Sequence, residues 1–458
     1  MADAKIIAII AVVVVVIAGI GAALVLTQGD DKEKDVPPTG TDLSIYGNAN
    51  GDSTINSKDV SIVEKVLAGD EEYTLANYPL ADANHNGKID DEDVTITKAL
   101  ADRESTRCFV IAQLDEDDDT DYAVVEVKYP LRHVVSINAE VTTVLVQLGV
   151  APYVAGYQAS EYSSLDLKPL KDAGATALDL TSTRTIKATS YQQIIDLDTS
   201  TGGIGAIFIY NTNALGTYKS DFATAGIPVI HTKCTNPLDS ILGYRTFGFL
   251  FGEDAEKQGD KIADFTTDVI EEVSDKLKSH DITGSALANV LVLFMKTSIA
   301  EANSQYTYAV QEAGGNVINQ QSGASTKLAN AESILTFKNP VPDKIISFTT
   351  VGLEKLSDEY IVGTVWDVAK LSYLSSSPAY TTLTYVNASM SVPARIAYVA
   401  ELLYPEIFKD YGNETWQDYV DEFMPWMNKA MSDGDYDVKT DGTFIITYDI
   451  YKAAGGTN

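Results

Sequence analysis

Two segments of the chain, Gly47–Val60 and Ala81–Val94, repeat one pattern of oxygen-bearing side chains. In each segment Asp or Asn occupies loop positions 1, 3, 5 and 9, and Asp occupies position 12. Position 8 is isoleucine in both loops, Ile55 and Ile89, and can pin one loop to its twin. Calcium takes six to eight oxygen ligands at about 2.3–2.6 Å, and this spacing wraps the chain once around one ion. The repeat therefore predicts two calcium-binding loops.

A single helical stretch follows each loop, Asp59–Ala68 after the first and Asp93–Ala101 after the second. A duplicated loop with Asp at position 12 and only an exiting helix resembles the type I dockerin module, over residues 42–103, and not the helix–loop–helix EF-hand. The resemblance implies a small α-helical dockerin-like domain with two calcium ions as cofactors. The implied ligands are Asn48, Asn50, Asp52, the Thr54 carbonyl, Asn56, Asp59, Asp82, Asn84, Asn86, the Lys88 carbonyl, Asp90 and Asp93.

The first loop departs from the dockerin pattern at two positions. Asn48 stands where Asp is usual, and Ser53 stands where Gly is usual. Because fewer formal charges face the ion in the first loop, we expect the second loop to bind calcium more strongly. Dockerins bind cohesin modules, and a cohesin-type partner and a purely structural calcium-stiffened spacer are both open. The implied partner-reading positions are Ser57, Lys58, Asp91 and Glu92.

An apolar run from Ile6 to Leu26 contains no charged residue. At about 1.5 Å per helical residue, it is long enough to span the roughly 30 Å hydrocarbon layer of a bilayer. Lys5 precedes the run, so the positive-inside rule places the N-terminus in the cytoplasm and the bulk of the chain outside the cell. We expect residues 1–27 to be a retained single-pass transmembrane anchor and residues 28–41 to be a polar linker. Removal by a signal peptidase and pilin-like processing into a filament-forming helix are the alternatives.

The composition bounds the domain count and the partners. The chain has 458 residues, with 33 Lys or Arg against 65 Asp or Glu and a formal net charge of −32. This length predicts two or three domains. The negative charge repels phosphate backbones, so no nucleic acid partner is expected. The two cysteines, Cys108 and Cys234, are too few for a disulfide framework or a cysteine-built zinc site, and both a single bridge and free thiols are open.

Strands and helices alternate from about residue 105 onward. Arg107–Gln113 and Tyr122–Val127 predict a hairpin across an acidic tip at residues 115–121. Repeated strand–helix units favour parallel sheets with covering helices, the α/β class. Residues 252–279 carry one helical pattern without proline, about 40 Å long, which is enough to bridge two α/β lobes. Further short strands are predicted at His133–Ile137, Val154–Gly156, Ala206–Tyr210, Val229–His231, Val290–Phe294 and Lys344–Phe348.

Several short motifs between residues 105 and 430 resemble, in order and spacing, the ABC-importer solute-binding proteins that take iron–siderophores, haem and cobalamin. These motifs are Arg132–Ser136, Leu148–Gly156, Ala225–Val229, Phe247–Ala255, Glu312–Asn316, Asn339–Ile346 and Ala400–Glu406. The resemblance implies two α/β lobes, at 105–251 and at 280–458 with the C-terminal tail, bridged by the long helix at 252–279. It also implies a ligand cleft between the lobes and an ABC importer permease as partner.

The loops that follow the carboxyl ends of parallel strands converge at one edge of a sheet, so these loops are the candidate ligand contacts. Flat aromatic rings and a few cations in an acidic protein suit a large, rigid, anionic small-molecule chelate. The candidate ligand-binding residues are Ser136, Asn138, Tyr157, Arg184, Tyr210, Asn211, Lys233, Lys296, Trp366 and Arg395.

The sequence contains no Gly-x-Ser-x-Gly, no Gly-x-x-x-x-Gly-Lys-Ser/Thr and no His-Glu-x-x-His motif. We therefore expect no catalytic residues and no enzyme. The sequence predicts a membrane-anchored extracellular receptor that delivers an iron chelate, haem or corrinoid to an ABC importer. The alternative is a cell-surface interaction or filament protein that assembles through the dockerin-like module or the N-terminal helix.

Overall fold

The computed structural model describes residues 43–113, 122–158, 167–181, 183–209, 212–231, 237–294, 298–302, 304–319, 326–327, 342–351, 353, 355–366, 380–427 and 442–457. The predicted membrane anchor at 1–27, the linker at 28–41 and the acidic tip at 115–121 lie outside these residues. Within the described part of the chain, no helix is both long enough and apolar enough to cross a membrane.

The strands and helices are numbered here in chain order. The strands are β1 Thr106–Gln113, β2 Tyr122–Tyr129, β3 Val134–Ser136, β4 Val154–Gln158, β5 Thr176–Leu178, β6 Ile207–Ile209, β7 Val229–His231, β8 Asn289–Phe294, β9 Ser298–Ile299, β10 Asn316–Val317, β11 Thr326–Lys327, β12 Lys344–Thr349, β13 Leu383–Asn387 and β14 Ile445–Thr447. The α-helices are α1 Ser57–Leu67, α2 Asp91–Ala101, α3 Ala139–Gln147, α4 Lys168–Asp172, α5 Ala188–Thr201, α6 Lys219–Ala225, α7 Pro237–Phe251, α8 Glu253–Ser279, α9 Gln305–Glu312, α10 Asp358–Tyr360, α11 Val392–Leu403, α12 Tyr411–Phe423 and α13 Tyr448–Ala453.

The first of two compact units contains the described residues of Met1–Gln158, Gly174–Lys233 and Leu242–Asp260. It includes a five-stranded parallel sheet in the order β5-β4-β3-β6-β7. The short strands β3 and β6 are buried along their whole length, as expected for the middle of a parallel sheet. Ile194 from α5 and Phe222 from α6 pack in one apolar core with the sheet residues. The parallel strand–helix units predicted from the alternation are therefore present.

The two repeated loops and their helices belong to this same unit. Asn56 and Asp90, at loop position 9, cap the N-termini of α1 and α2 with their side-chain oxygens. Asp59 and Asp93, at position 12, complete a capping box by accepting from the backbone of the cap residue. Because the caps lie at position 9, both helices begin two residues earlier than predicted.

The hairpin β1–β2 also lies in this unit, and it is the hairpin predicted from the alternation. Its antiparallel register runs from Thr106 opposite Tyr129 to Gln113 opposite Tyr122. Ile45, before the first loop, forms a bridge to Val110 in β1. A buried apolar cluster joins both loops to the hairpin, through Tyr46, Leu80, Phe109 and Ile111. The repeated-loop segment therefore packs directly on the hairpin.

The second unit contains the described residues of Ala159–Ala173, Cys234–Ile241 and Lys261–Asn458. Its seven-stranded sheet follows the path β11-β9-β8-β12-β13-β14, and β10 pairs with β8. The pairs β10–β8, β8–β12 and β12–β13 are parallel, whereas β9, β11 and β14 join the sheet antiparallel. Strands β8 and β12 were predicted, and the strands from β13 onward were not.

The helix predicted over 252–279 is present as α8, Glu253–Ser279. Gly252, at φ 103°, separates it from α7, and this positive φ favours glycine over residues with a side chain. The part of α8 up to Asp260 belongs to the first unit, and the part from Lys261 belongs to the second.

Cys108 in β1 is a fully buried free thiol, and burial raises its pKa well above the ordinary value. Cys234 lies outside the described residues.

Candidate functional site

The first repeated loop folds around its position-12 carboxylate. Asp59 accepts from the backbone N–H of Asn50 at 3.0 Å and from that of Asn56 at 2.9 Å. Asn48, at position 1, is fully buried and donates its side-chain N–H to the Asp52 carbonyl at 2.8 Å. The Asn48 Oδ1 has no hydrogen-bond partner within the described part of the chain. A buried acceptor without a donor is costly, so this oxygen is suited to a cation.

The second loop folds in the same way but with a carboxylate at position 1. Asp82 accepts from the backbone N–H of Asn86 at 3.0 Å and from that of Gly87 at 2.7 Å. Asp93 accepts from Asn84 N–H at 3.0 Å and from Asp90 N–H at 2.8 Å. These bonds draw loop positions 3, 5, 6 and 9 toward the two carboxylates, as the predicted wrapping of the chain requires.

Burial raises the pKa of Asp59 and of Asp93 above the ordinary range of a carboxyl. Nearby carboxylates add to the shift, Asp52 beside Asp59 and Asp82 and Asp90 beside Asp93, and the backbone N–H donors oppose it. A cation in either loop would favour the ionised carboxylates.

The donor set fits calcium in kind, because both loops present carboxylate, amide and carbonyl oxygens, the ligands of a hard cation. The orphaned Asn48 Oδ1 supports the same assignment. Across the described ranges, the structure brings together no group of three or more His, Cys, Asp and Glu side chains that could hold a metal ion. Calcium binding therefore remains a prediction that rests on the loop hydrogen bonds and on the amide and carbonyl ligands.

Arg103, just after α2, connects the first loop to the beginning of α8. Its guanidinium donates to both carboxylate oxygens of Glu256, at 2.6 Å and 2.5 Å, and to the Thr54 hydroxyl at 3.0 Å. The Thr54 hydroxyl donates in turn to Glu256 at 3.0 Å. Phe249 of α7 lies under the guanidinium, with the ring centroid 4.8 Å from Cζ. We call Thr54, Arg103 and Glu256 the docking triad.

The second loop contacts the hairpin instead. The His85 ring lies 6.4 Å from that of Phe109, centroid to centroid. Glu92 accepts from Arg107 of β1 at 2.6 Å, and its other oxygen accepts from Asn84 at 3.0 Å. The four partner-reading positions implied by the dockerin resemblance, Ser57, Lys58, Asp91 and Glu92, are exposed, and Glu92 also makes these two bonds.

Four of the predicted ligand-binding residues are described in the first unit, at or after the carboxyl ends of strands of its sheet. Ser136 ends β3 and is fully buried, with its hydroxyl 2.8 Å from that of Thr142. Asn138 precedes α3, and Tyr157 in β4 is buried, which raises its phenol pKa. Arg184 is exposed, in a turn at φ 62°. The predicted residues Tyr210, Asn211 and Lys233 lie outside the described residues.

Two of the predicted ligand-binding residues are described in the second unit. Arg395 lies in the first turn of α11, not in a loop, and its guanidinium donates to Gln305 of α9 at 3.2 Å. Trp366 is fully buried, stacked on Tyr451 with ring centroids 4.8 Å apart, inside the apolar core of the unit. This position gives Trp366 a packing role in the core, and its contact with a ligand stays a prediction. Lys296 lies outside the described residues.

Sequence reasoning missed two groups of polar residues. Gln158 at the end of β4 is buried, and its side-chain oxygen has no hydrogen-bond partner among the described residues; its place directly after a predicted strand was a usable signal. The docking triad was missed because Arg103 and Glu256 are 153 positions apart and belong to no motif.

Comparisons with known proteins place this fold. No protein-family model matches the chain, and no curated protein matches it. Among solved structures, the periplasmic molybdate-binding protein MolA of Haemophilus influenzae is 13% identical, with a TM-score of 0.51, over 69% of this chain and 98% of that chain. The TroA-like periplasmic binding protein FepB of Veillonella parvula is 17% identical, with a TM-score of 0.49, over 71% and 97%. The periplasmic haem-binding protein HutB of Vibrio cholerae is 15% identical, with a TM-score of 0.44, over 60% and 99%.

The likeness to MolA shows that the chain shares the mixed α/β fold of a periplasmic solute-binding protein. The other two TM-scores are too low to carry an argument.

Proposed function

We propose that this protein is the membrane-anchored, extracellular substrate-binding protein of an ABC importer, with an iron chelate, haem or corrinoid as its ligand. The observation that carries the proposal is the fold shared with a periplasmic solute-binding protein over 98% of that protein's length. The ordered motifs between residues 105 and 430 favour the iron–siderophore, haem and cobalamin class within that fold. The apolar run Ile6–Leu26 would hold the receptor at the membrane, where a permease accepts the ligand.

The ligand would bind where the carboxyl ends of the parallel strands open to solvent. In the first unit, this edge carries the end of β3 at Ser136, the start of α3 at Asn138 and the exposed cation Arg184. An exposed guanidinium in an acidic protein suits a carboxylate or hydroxamate group of a chelate, because Arg forms charge-assisted hydrogen bonds to oxygen acceptors. The 65 acidic residues make the protein strongly negative overall. Each exposed cation is therefore a specific point of attraction for an anionic group of the ligand.

The dockerin-like segment would bind two calcium ions outside the cell, the second loop more strongly than the first. Extracellular calcium modules work at about 10⁻⁴–10⁻³ M, a range that a loop with only two carboxylate ligands can reach. The segment's role in this proposal is structural. A cohesin-type partner reading the exposed Ser57, Lys58 and Asp91 is the competing outcome.

The test is thermal unfolding of the full chain with a panel of ferric siderophores, haem and cobalamins, and with molybdate as a competing ligand class. A ligand at 100 times its Kd should stabilise the native state by about 2.7 kcal/mol and raise the Tm. Arg184→Gln should weaken binding of the chelate by about five- to 150-fold, since a charge-assisted contact is worth about 1–3 kcal/mol. Lys98→Gln, an exposed cation on α2, is the matched control and should not weaken it.

Two results would count against the proposal. A panel without any Tm shift, together with tight binding of a cohesin module to residues 42–103, would replace the receptor with the cell-surface interaction protein. A shift with molybdate alone would keep the receptor and change its ligand class.

A further inference from the structure

The docking triad places one residue in two roles. Thr54 occupies position 7 of the first loop, where its carbonyl is a predicted calcium ligand. Its hydroxyl donates to Glu256 of α8 at 3.0 Å and accepts from Arg103 at 3.0 Å. The same residue would therefore face the ion with its backbone and face the first turn of α8 with its side chain.

The buried charge of the Glu256 carboxylate is stabilised by Arg103 and Thr54. Glu256 is 6% exposed, and the guanidinium of Arg103 is its ion-pair partner at 2.5 Å. A buried ion pair offsets its desolvation only when the geometry is good and further hydrogen bonds complete it. The Thr54 hydroxyl supplies one of those bonds, and the Arg103 guanidinium is itself held by the Ile55 and Leu100 carbonyls, at 2.8 Å and 2.7 Å. A loop that fixes Thr54 and Ile55 thus fixes the charge pair on α8.

The two loops differ in what they hold. The second loop reaches the hairpin through His85 and Glu92, and its position-7 residue, Lys88, is exposed. The first loop alone reaches α8 by a described hydrogen bond, through Thr54. The first loop is also the one with the orphaned Asn48 Oδ1 and the smaller set of carboxylate ligands.

We propose that calcium in the first, weaker loop acts as a clamp that fastens the dockerin-like segment to the beginning of α8 through the docking triad. The inference rests on the calcium binding included in the proposed function. Filling the second loop would order the segment on the hairpin. Filling the first loop would then draw the Thr54 carbonyl to the ion and hold the Thr54 hydroxyl on Glu256, so the first unit tightens as calcium rises.

Because of thermodynamic linkage, the clamp can be measured either as calcium affinity of the first loop or as stability of the docking triad. If calcium in the first loop strengthens the docking triad, an intact triad must strengthen calcium binding by the same factor. Glu256→Gln and Thr54→Val should therefore each weaken the weaker calcium step, whereas Glu253→Gln should not. Glu253 is the matched control because it is exposed and lies in the same helical turn as Glu256. Its ion-pair partner among the described residues is Lys257.

The experiment is calcium titration of the full chain, followed by calorimetry and by hydrogen exchange of the amides in residues 253–260. We expect two binding steps, with the amides of 253–260 becoming about five- to tenfold better protected at the weaker step. Asp59→Asn should remove that gain in protection. Asp93→Asn changes the second loop, so calcium binding to the first loop should still be accompanied by the gain in protection at 253–260. Glu256→Gln and Thr54→Val should abolish or reduce the gain, and Glu253→Gln should keep it.

Three results obtained while calcium still binds would overturn the clamp. These are calcium binding without any change in exchange at 253–260, a gain that follows the stronger step, and an equal loss of calcium affinity in Glu253→Gln and Glu256→Gln. Thr54→Val replaces one hydroxyl by a methyl group of similar size, so it keeps the test open if Glu256→Gln fails to fold. Absence of calcium binding would also overturn the clamp, while the Tm shifts with chelates would still report the receptor independently.

Discussion

The Arg103 guanidinium contacts the first loop and the helices α7 and α8. It bonds to Thr54 and to the Ile55 carbonyl in the first loop and to Glu256 in α8, and it lies over the Phe249 ring of α7. Its own backbone has φ 58°, a left-handed conformation that costs energy for a residue with a side chain. The contacts of the guanidinium offset that cost, so removal of this side chain should be severe.

We predict that Arg103→Ala lowers the free energy of unfolding by about 3–5 kcal/mol, because it leaves the buried Glu256 carboxylate without its partner. Urea unfolding followed by circular dichroism measures the loss. Arg107→Ala is the matched control, since Arg107 pairs with Glu92 where both side chains are well exposed, 39% and 52%. Exposed pairs contribute about 0–1 kcal/mol. Equal losses in the two variants would show that the Arg103 pair is not a buried, stabilising contact.

At this scale the sequence predicts residue types better than residue contacts. The carboxylates and amides of the loops were recognisable because calcium needs oxygens at fixed spacing along a short segment. Ser136 ends β3, whereas the predicted strand extended one residue further, to Ile137. No spacing rule links Arg103 to Glu256, which are 153 positions apart, so only the folded chain reveals the pair.

Strands and helices were predictable from the sequence wherever apolar residues recur at regular spacing. The hairpin β1–β2, the strands β3, β4, β6, β7, β8 and β12 and the helix α8 lie where the pattern predicted them. The edge strands β5 and β14 were missed, although β3 and β6 are equally short. β3 and β6 are apolar runs that are buried throughout, whereas β5 and β14 have one buried residue each and give a weaker apolar signal. Their place in the sheets depends on neighbours that are distant in sequence.

Trp366 shows why an element cannot be assigned a function from its position alone. It follows the π-helical turn Ile361–Val365, and Tyr451 from α13 stacks on its ring. Because Tyr451 is brought there by the pairing of β14 with β13, the burial of Trp366 is a tertiary effect. The aromatic ring that suited a ligand in the sequence is a core residue in the structure.

We predict that Trp366→Ala destabilises the protein by about 3–5 kcal/mol, the usual cost of truncating a buried Trp or Phe. Loss of the near-ultraviolet circular dichroism of the packed aromatic cluster should accompany it, and urea unfolding measures the energy. Tyr360→Ala is the control, since Tyr360 lies six residues before Trp366 and is 40% exposed. A Trp366 variant as stable as the Tyr360 variant would contradict the packing role.

The whole molecule combines a recognisable α/β fold with an added segment. The α/β fold that the chain shares with MolA was predictable from the order and spacing of the chain's own short motifs. The packing of the repeated-loop segment, residues 42–103, into the first unit was not predictable, since its separate sequence pattern suggested a separate domain. In the structure it shares the first compact unit with the hairpin and the five-stranded sheet. The net charge of −32 identifies no ligand by itself.

The central claim is that the protein holds a coloured metal chelate or tetrapyrrole, and retained visible absorption tests it most directly. The full chain is incubated in turn with ferric siderophores, haem and cobalamins, separated from free ligand by gel filtration, and its spectrum is recorded. The account predicts that at least one class is retained at about one ligand per chain, as expected for a single pre-formed site in a fold of this kind. A chain that stays colourless after every incubation, while remaining folded by circular dichroism, would contradict the account.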